Sequence, residues 1–118
     1  MVTDLEKWVE EFALNVSAQT AAIARGDAKE GNKHADRYIA AVRKLKGQGD
    51  AGRDALAVLL KHPDKDVSTM AAAYLLRHRT AESKAVLEEA AQGEGLIAFE
   101  AAQVLKNWEA GVWALDPG

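Results

Sequence analysis

A spacing of 30 residues recurs along this chain and constrains its fold more than any other feature. The matching positions are Ala41, Ala71 and Ala101 and, four residues after each, Leu45, Leu75 and Leu105. A small residue one helical turn before a leucine lets neighbouring helices approach closely, as they do where helix pairs stack in arrays. We therefore predict an all-α fold, a short right-handed solenoid of about three helix pairs. A plain helical bundle, in which the matches arise by chance, is the alternative.

Six segments have the apolar spacing of amphipathic helices. The first has a readable start, since Thr3 and Glu6 fit a capping box, and Gly26 is a natural terminator. Its predicted core stripe is Leu5, Trp8, Val9, Phe12, Val16 and Ile23. The second helix is predicted over about 27–46, and the third begins at 50 or 54 and ends at 62. The fourth is predicted to begin at 66 and the fifth at Thr80, which is expected to cap it. The sixth is predicted over about 96–108. Three glycines, Gly47, Gly49 and Gly52, are interpreted as a flexible connector.

The middle of the chain resembles the interior of a HEAT repeat. The residues that carry this resemblance are Leu60, His62, Pro63, Asp64, Asp66, Val67, Ala71, Ala72 and Leu75. In that motif a Pro-Asp turn joins two antiparallel helices, and the Val and Ala residues pack on the next repeat. The sequence departs from the motif at Ser68, where HEAT repeats commonly have an arginine. The resemblance implies that the predicted solenoid is HEAT-like.

A second resemblance covers roughly the C-terminal half. The segments Ala71–His78, Val86–Glu88, Gly95 with Phe99–Ala101, and Leu105–Trp108 resemble a family of short bacterial proteins known only as a domain of unknown function. Members of such families are often encoded near toxin genes. The resemblance implies an immunity protein, whose partner would be a cognate toxin.

Length and composition favour one domain over residues 1–118, with 110–118 as a C-terminal tail or cap. A chain of 118 residues can bury one core without staples, and it has no cysteine for disulfides or thiolate metal sites. The first residues lack the basic patch and apolar run of a secretory signal, and no segment is apolar enough to cross a membrane. We expect a soluble cytoplasmic protein with no membrane partner.

Charge is uneven along the chain. Residues 25–62 contain nine basic and five acidic side chains, whereas 63–118 contain five basic and nine acidic ones. A basic run, Arg43, Lys44 and Lys46 with Arg37 and Arg53 nearby, suggests an alternative function as a regulatory or nucleic-acid-associated HEAT-like adaptor. The pI near 5.6 argues against nucleic acid, and cations at a helix end also favour its dipole.

No constellation that carries chemistry is apparent, so we expect no enzyme, no cofactor and no metal. The histidines, His34, His62 and His78, lack the spacing of a metal-binding helix, and adjacent glutamates such as Glu88 and Glu89 point to different faces. A helical DNA-glycosylase is disfavoured by the small size and acidic balance.

The sequence therefore predicts a non-enzymatic protein-binding module, and the second resemblance implies that it neutralises a toxin by occluding it. If second helices line a concave surface, subtracting the core stripes leaves Thr69, Ala73 and Arg77 outward on the fourth helix. The partner-binding residues that we predict are Arg77, Glu100, Gln103, Lys106, Asn107 and Trp113. Trp113 is interpreted either as part of a cap or as a partner anchor. The alternative interface is the first helix with Asp4, Glu6, Glu10 and Glu11.

Overall fold

The computed structural model describes residues 3–112, and every regular element in that range is helical. Six α-helices follow one another, with a short 3-10 helix, Val58–Lys61, after the third. Their bounds are α1 Asp4–Ala24, α2 Ala28–Lys46, α3 Asp50–Ala57, α4 Lys65–Leu75, α5 Thr80–Ala91 and α6 Leu96–Glu109. The predicted all-α class is confirmed. None of these helices is both long enough and apolar enough to span a membrane.

The chain divides into two compact units, Met1–Leu59 and Leu60–Gly118. The first unit contains α1, α2 and α3, and the second contains α4, α5 and α6. The predicted middle helix pair, α3 with α4, is thus divided between the units.

In the first unit α1 and α2 form an antiparallel hairpin, and α3 packs against both. The Thr3 hydroxyl accepts the Glu6 N–H at 3.1 Å, so α1 begins where the capping pattern predicts. The chain leaves α1 through Gly26, whose φ of 76° favours glycine. The side chain of Asp27 then caps α2 by accepting the Glu30 N–H at 3.1 Å.

Aromatic and aliphatic side chains fill the interface of α1 and α2. The rings of Phe12 and Tyr38 meet edge to face with centroids 5.7 Å apart, a favourable geometry for aromatic pairs. Val16 and Leu45 are also buried. Ile23, which we predicted in this stripe, is instead 44% exposed, because the last turn of α1 buries Ala22 in its place.

In the second unit α5 packs against α4 and α6, and α4 also contacts α6. Val67 and every residue from Ala71 to Leu76 are buried. The prediction that Thr69 and Ala73 point outward is wrong: they are 6% and 3% exposed. A helix with small or apolar residues on all sides, as α4 has, is buried around most of its circumference.

Two further predictions about helix ends need correction. Thr80 does not cap α5, because its hydroxyl donates backward to the carbonyl of Leu76 at 2.6 Å. Gly52 does not belong to a flexible connector: it is a buried residue of α3. The absence of a side chain there serves close packing, since a Cβ would overlap the carbonyl oxygen of Leu45.

The three alanines of the 30-residue repeat, Ala41, Ala71 and Ala101, are all buried, each at 1% exposure or less. Of the matching leucines, Leu45 and Leu75 are buried and Leu105 is half-buried. Burial at these positions agrees with their predicted place in the core.

Candidate functional site

Helix α6 has two distinct faces. Ala98 and Ala101 are buried, and Ile97, Leu105 and Trp108 beside them are half-buried. The helical period of 3.6 places the opposite side of α6 at positions 96, 99, 100, 103, 106 and 107. We call this surface the α6 face; it consists of Leu96, Phe99, Glu100, Gln103, Lys106 and Asn107. All of them are exposed except Asn107, which is half-buried.

Two large apolar side chains lie on the first turn of the α6 face. Phe99 is 66% exposed and Leu96 is 52% exposed. Residues three apart in a helix are neighbours on its surface, so the two side chains form one apolar area rather than two isolated ones. Single exposed hydrophobic residues are common on soluble proteins, but adjacent ones bordered by polar residues are typical of interaction surfaces.

Polar groups border this apolar area. The Gln103 side-chain amide donates a hydrogen bond to Asn107 Oδ1 at 3.3 Å, which orders the two amides one turn apart. Partial burial of the Glu100 carboxyl raises its pKa above the ordinary value of 4.5. The Glu100 residue is exposed as a whole, and its carboxyl group is less fully hydrated than that of a free glutamate.

The N-terminal part of α6 lies in an acidic stretch of the chain. Residues 85–105 contain four glutamates and no lysine, arginine or histidine. The four carboxylates, at Glu88, Glu89, Glu94 and Glu100, all belong to exposed residues. Within residues 3–112 neither Glu94 nor Glu100 forms an ion pair. The apolar area of Leu96 and Phe99 thus lies between two uncompensated negative charges in sequence.

The structure places four of the six predicted partner-binding residues together, namely Glu100, Gln103, Lys106 and Asn107. Arg77 is exposed, but it lies in the turn between α4 and α5, at the opposite end of α5 from the turn that leads to Leu96. It is therefore separate from the apolar area. Trp113 lies outside the described residues.

A second feature of the same unit is a cleft of about 270 Å³ beside the start of α4. It lies between the segment around His62 and the second half of α5 at Val86 and Glu89. Thr69 also lines it, and the Thr69 hydroxyl is buried without a hydrogen-bond partner in the part of the chain that the structure describes. The His62 ring accepts the N–H of Asp64 at 3.0 Å, so this histidine orders the turn before α4.

The groups around this cleft do not converge as metal ligands. Across residues 3–112 there is no group of three or more His, Asp, Glu or Cys side chains placed to hold a metal ion. His34 is far along the chain from this cleft and joins α2 to α1 through one hydrogen bond, with Asn15.

The alternative surfaces of the first unit are also exposed. Arg43, Lys44 and Lys46 occupy the last turn of α2, where positive charge favours the helix dipole. Arg53 lies 3.2 Å from the Asp50 carboxylate, so part of its charge is compensated. On α1, Asp4, Glu6 and Glu10 are exposed, and Glu11 is half-buried.

The two apolar members of the α6 face were not predicted from the sequence. Leu96 and Phe99 were not among the predicted partner-binding residues, because only polar positions were retained after the core stripe was subtracted. The signal was present: on a helical wheel Phe99 lies about 160° from Ala101, which places it opposite the core.

Comparisons of the chain with models of protein families, with curated proteins and with solved structures found no match.

Proposed function

We propose that this chain is a non-enzymatic protein-binding module whose binding surface is the α6 face, and specifically an immunity protein that neutralises a bacterial toxin by occluding it. The observation that carries the proposal is the exposure of Phe99 and Leu96 beside Glu100 and Gln103. The toxin assignment rests in addition on the family resemblance of the C-terminal half, which contains α6.

The chemistry of the α6 face suits a protein better than a small molecule. Small-molecule sites are concave and enclose most of the ligand, whereas this is the outward side of one helix. Protein interfaces commonly combine a central aromatic or aliphatic anchor with a polar rim that excludes water. Phe99 and Leu96 supply the anchor, and Glu100, Gln103 and Lys106 supply the rim.

Occlusion needs no catalytic group on this chain, because a tightly bound protein blocks an active site sterically. The charged rim would then accelerate association with a partner of opposite charge more than it strengthens the complex. This mechanism is compatible with Glu94 and Glu100, which are exposed and form no ion pair in the described part of the chain.

The finer architecture and the location belong to the same proposal. A right-handed HEAT-like solenoid of three helix pairs is supported by burial of three alanines at 30-residue intervals. Residence in the cytoplasm is supported by the composition without cysteine.

The test is a titration against the product of the adjacent gene by isothermal calorimetry. Phe99→Ala removes the proposed anchor from an exposed position, so the variant should remain folded. We expect its affinity to fall by about 30-fold or more, the loss typical of a hot-spot residue. The matched control is Leu14→Ala, because Leu14 is a comparably exposed apolar residue, 70% exposed, on α1.

The control variant should bind as the original chain does. Binding that is undiminished in Phe99→Ala would place the interface elsewhere, and α1 is the next surface to test. Absence of any binding by the original chain would remove the toxin assignment.

A further inference from the structure

We propose that the α6 face receives a cationic amphipathic segment of the partner protein, in which lysine or arginine side chains flank an apolar side chain. This inference rests on the proposed function and deepens it, since it states the chemistry of the partner. It is carried by the position of Glu94 and Glu100 relative to Leu96 and Phe99.

The two carboxylates bracket the apolar area. Glu94 lies in the turn just before Gly95, where α6 is about to begin, and Glu100 follows Phe99 directly. Glu100 is also four residues after Leu96, which places the two on the same side of the helix. An apolar side chain that covers Leu96 and Phe99 therefore brings its own neighbours close to Glu100, and Glu94 lies only two residues before Leu96.

Among residues 3–112 neither carboxylate forms an ion pair. Glu82 of α5, by contrast, lies 3.3 Å from Arg79 and is paired. Over residues 85–105 the glutamates are not offset by any lysine, arginine or histidine, so this stretch of the chain is net negative. A cationic partner supplies the missing charge, and a negatively charged one is repelled.

The environment of Glu100 strengthens this preference. Partial burial already removes some water from its carboxyl group before a partner arrives, and this desolvation raises the pKa of Glu100. An ammonium or guanidinium group placed beside it would stabilise the charged form, whereas a neutral cover would leave that charge unpaired.

Other occupants fit less well. Nucleic acid would bring phosphates against Glu94 and Glu100, and binding proteins for nucleic acid normally present a basic surface. A second copy packed through its own α6 face would present the same two carboxylates, and only Lys106 on that face offers the opposite charge. A cationic segment of another protein meets both the apolar and the electrostatic requirement.

The probe is a synthetic helical peptide of about 18 residues with a leucine stripe flanked by lysines, labelled for fluorescence anisotropy. A second peptide has glutamate at every lysine position, so it matches the first in helix length and apolar stripe. We expect the full chain to bind the lysine peptide at least about tenfold more tightly than the glutamate peptide, with the difference reduced at high salt.

Two variants of equal charge change locate the site. Glu94→Lys with Glu100→Lys reverses both bracketing charges, while Glu10→Lys with Asp36→Lys reverses two exposed charges in the first unit. The first variant should lose about tenfold or more in affinity for the lysine peptide, and the second should change little. Equal losses would show attraction by net charge alone and would overturn the proposal, as would equal binding of the two peptides.

Phe99→Ala isolates the apolar contribution to binding. It should weaken binding of the lysine peptide without increasing binding of the glutamate peptide. Sedimentation that shows a dimer disrupted by Phe99→Ala would assign this face to a second copy and overturn the proposal. Tighter peptide binding after removal of residues 113–118 would show that the chain's own end covers the face, which would also overturn it.

Binding of the adjacent gene product distinguishes the proposed function from the proposed chemistry of the partner. If it binds through Phe99 but is insensitive to the reversal at Glu94 and Glu100, the proposed function holds and the cationic partner is wrong. If the lysine peptide binds at the α6 face while the gene product does not bind, the partner chemistry holds and the toxin assignment is wrong.

Discussion

Gly52 of α3 lies directly against the backbone of Leu45 in α2, so that a Cβ at position 52 would overlap the Leu45 carbonyl oxygen and lie 3.0 Å from its Cα. Both residues are buried. The clash involves backbone atoms, which cannot rotate away as the end of a side chain can. Glycine at position 52 therefore sets how closely α3 approaches α2.

Gly52→Ala should destabilise the chain by about 1–3 kcal/mol through overpacking, despite the better helix propensity of alanine. The measurement is chemical denaturation followed by circular dichroism. Gly31→Ala is the matched control, because Gly31 is also buried within a helix, but a Cβ there would meet Ile23 Cγ1 at 3.6 Å, an ordinary contact. Equal effects of the two substitutions would show that the close approach of α3 to α2 is not limiting.

His34 provides a polar link between α1 and α2. Asn15 donates its side-chain N–H to the Glu11 carbonyl at 2.7 Å, which leaves Asn15 Oδ1 facing His34 Nδ1 at 2.9 Å. Nδ1 must therefore be the donor. The other ring nitrogen lies 3.2 Å from the Glu30 carboxylate. One half-buried ring thus contacts both helices of the hairpin.

We expect His34→Ala to lower the free energy of unfolding by about 1–2 kcal/mol, because it leaves the Asn15 amide oxygen without its partner. A double-mutant cycle with Asn15→Ala isolates the contribution of the inter-helix bond. Lys33→Ala is the control, since the Lys33 amine is exposed and lies 4.0 Å from Glu30, and its loss should cost little. Additivity of the His34 and Asn15 effects would rule out a coupled link.

Ser83 is fully buried in α5, and its hydroxyl has no hydrogen-bond partner among the described residues. Ser83→Ala should therefore raise the stability by about 1 kcal/mol, because it removes an unsatisfied polar group and improves helix propensity. Ser68→Ala is the matched control: Ser68 is also buried, but its hydroxyl donates to the Lys65 carbonyl at 3.3 Å. Thermal unfolding measures the change in stability of both variants. A loss of stability in Ser83→Ala would reveal a partner for that hydroxyl.

The sequence was sufficient to predict the helices whose signals are local. Thr3 and Gly26 mark the limits of α1 because a cap and a left-handed turn depend on a few adjacent residues. Burial of Ala41, Ala71 and Ala101 was also predictable, since periodicity reports which side of a helix is covered.

Features that depend on tertiary packing could not be predicted in the same way. Gly52 lies in a glycine-rich stretch that is typical of a connector. Only the position of Leu45 shows that the missing side chain permits close packing. Thr69 is polar and lies outside the predicted core stripe of α4, yet it is buried in a helix that packs against both α5 and α6. Four members of the α6 face were predicted from its polar residues, but the apolar area of Leu96 and Phe99 was not, since exposure of an apolar side chain is visible only in the fold.

Glu100 should make stability depend on pH in a defined direction. Its pKa in the folded chain is raised, so the folded state binds this proton more tightly than the unfolded state does. The ionised carboxylate therefore costs stability above the folded pKa, and this cost disappears as the pH falls below the ordinary value of 4.5. We expect Glu100→Gln to raise the melting temperature at pH 7 and to match the original chain near pH 4. A variant that is less stable at pH 7 would contradict the desolvation of this carboxyl.

The most direct test of the central claim is hydrogen exchange of the full chain with and without the adjacent gene product, read by mass spectrometry at the level of single helices. If the α6 face is the binding surface, slowed exchange on binding should concentrate in α6, Leu96–Glu109, and in the turn before it that contains Glu94. The same experiment with Phe99→Ala should lose that protection, while Leu14→Ala should retain it. Protection confined to α1, where Asp4, Glu6, Glu10 and Glu11 lie, with none in α6, would contradict the account.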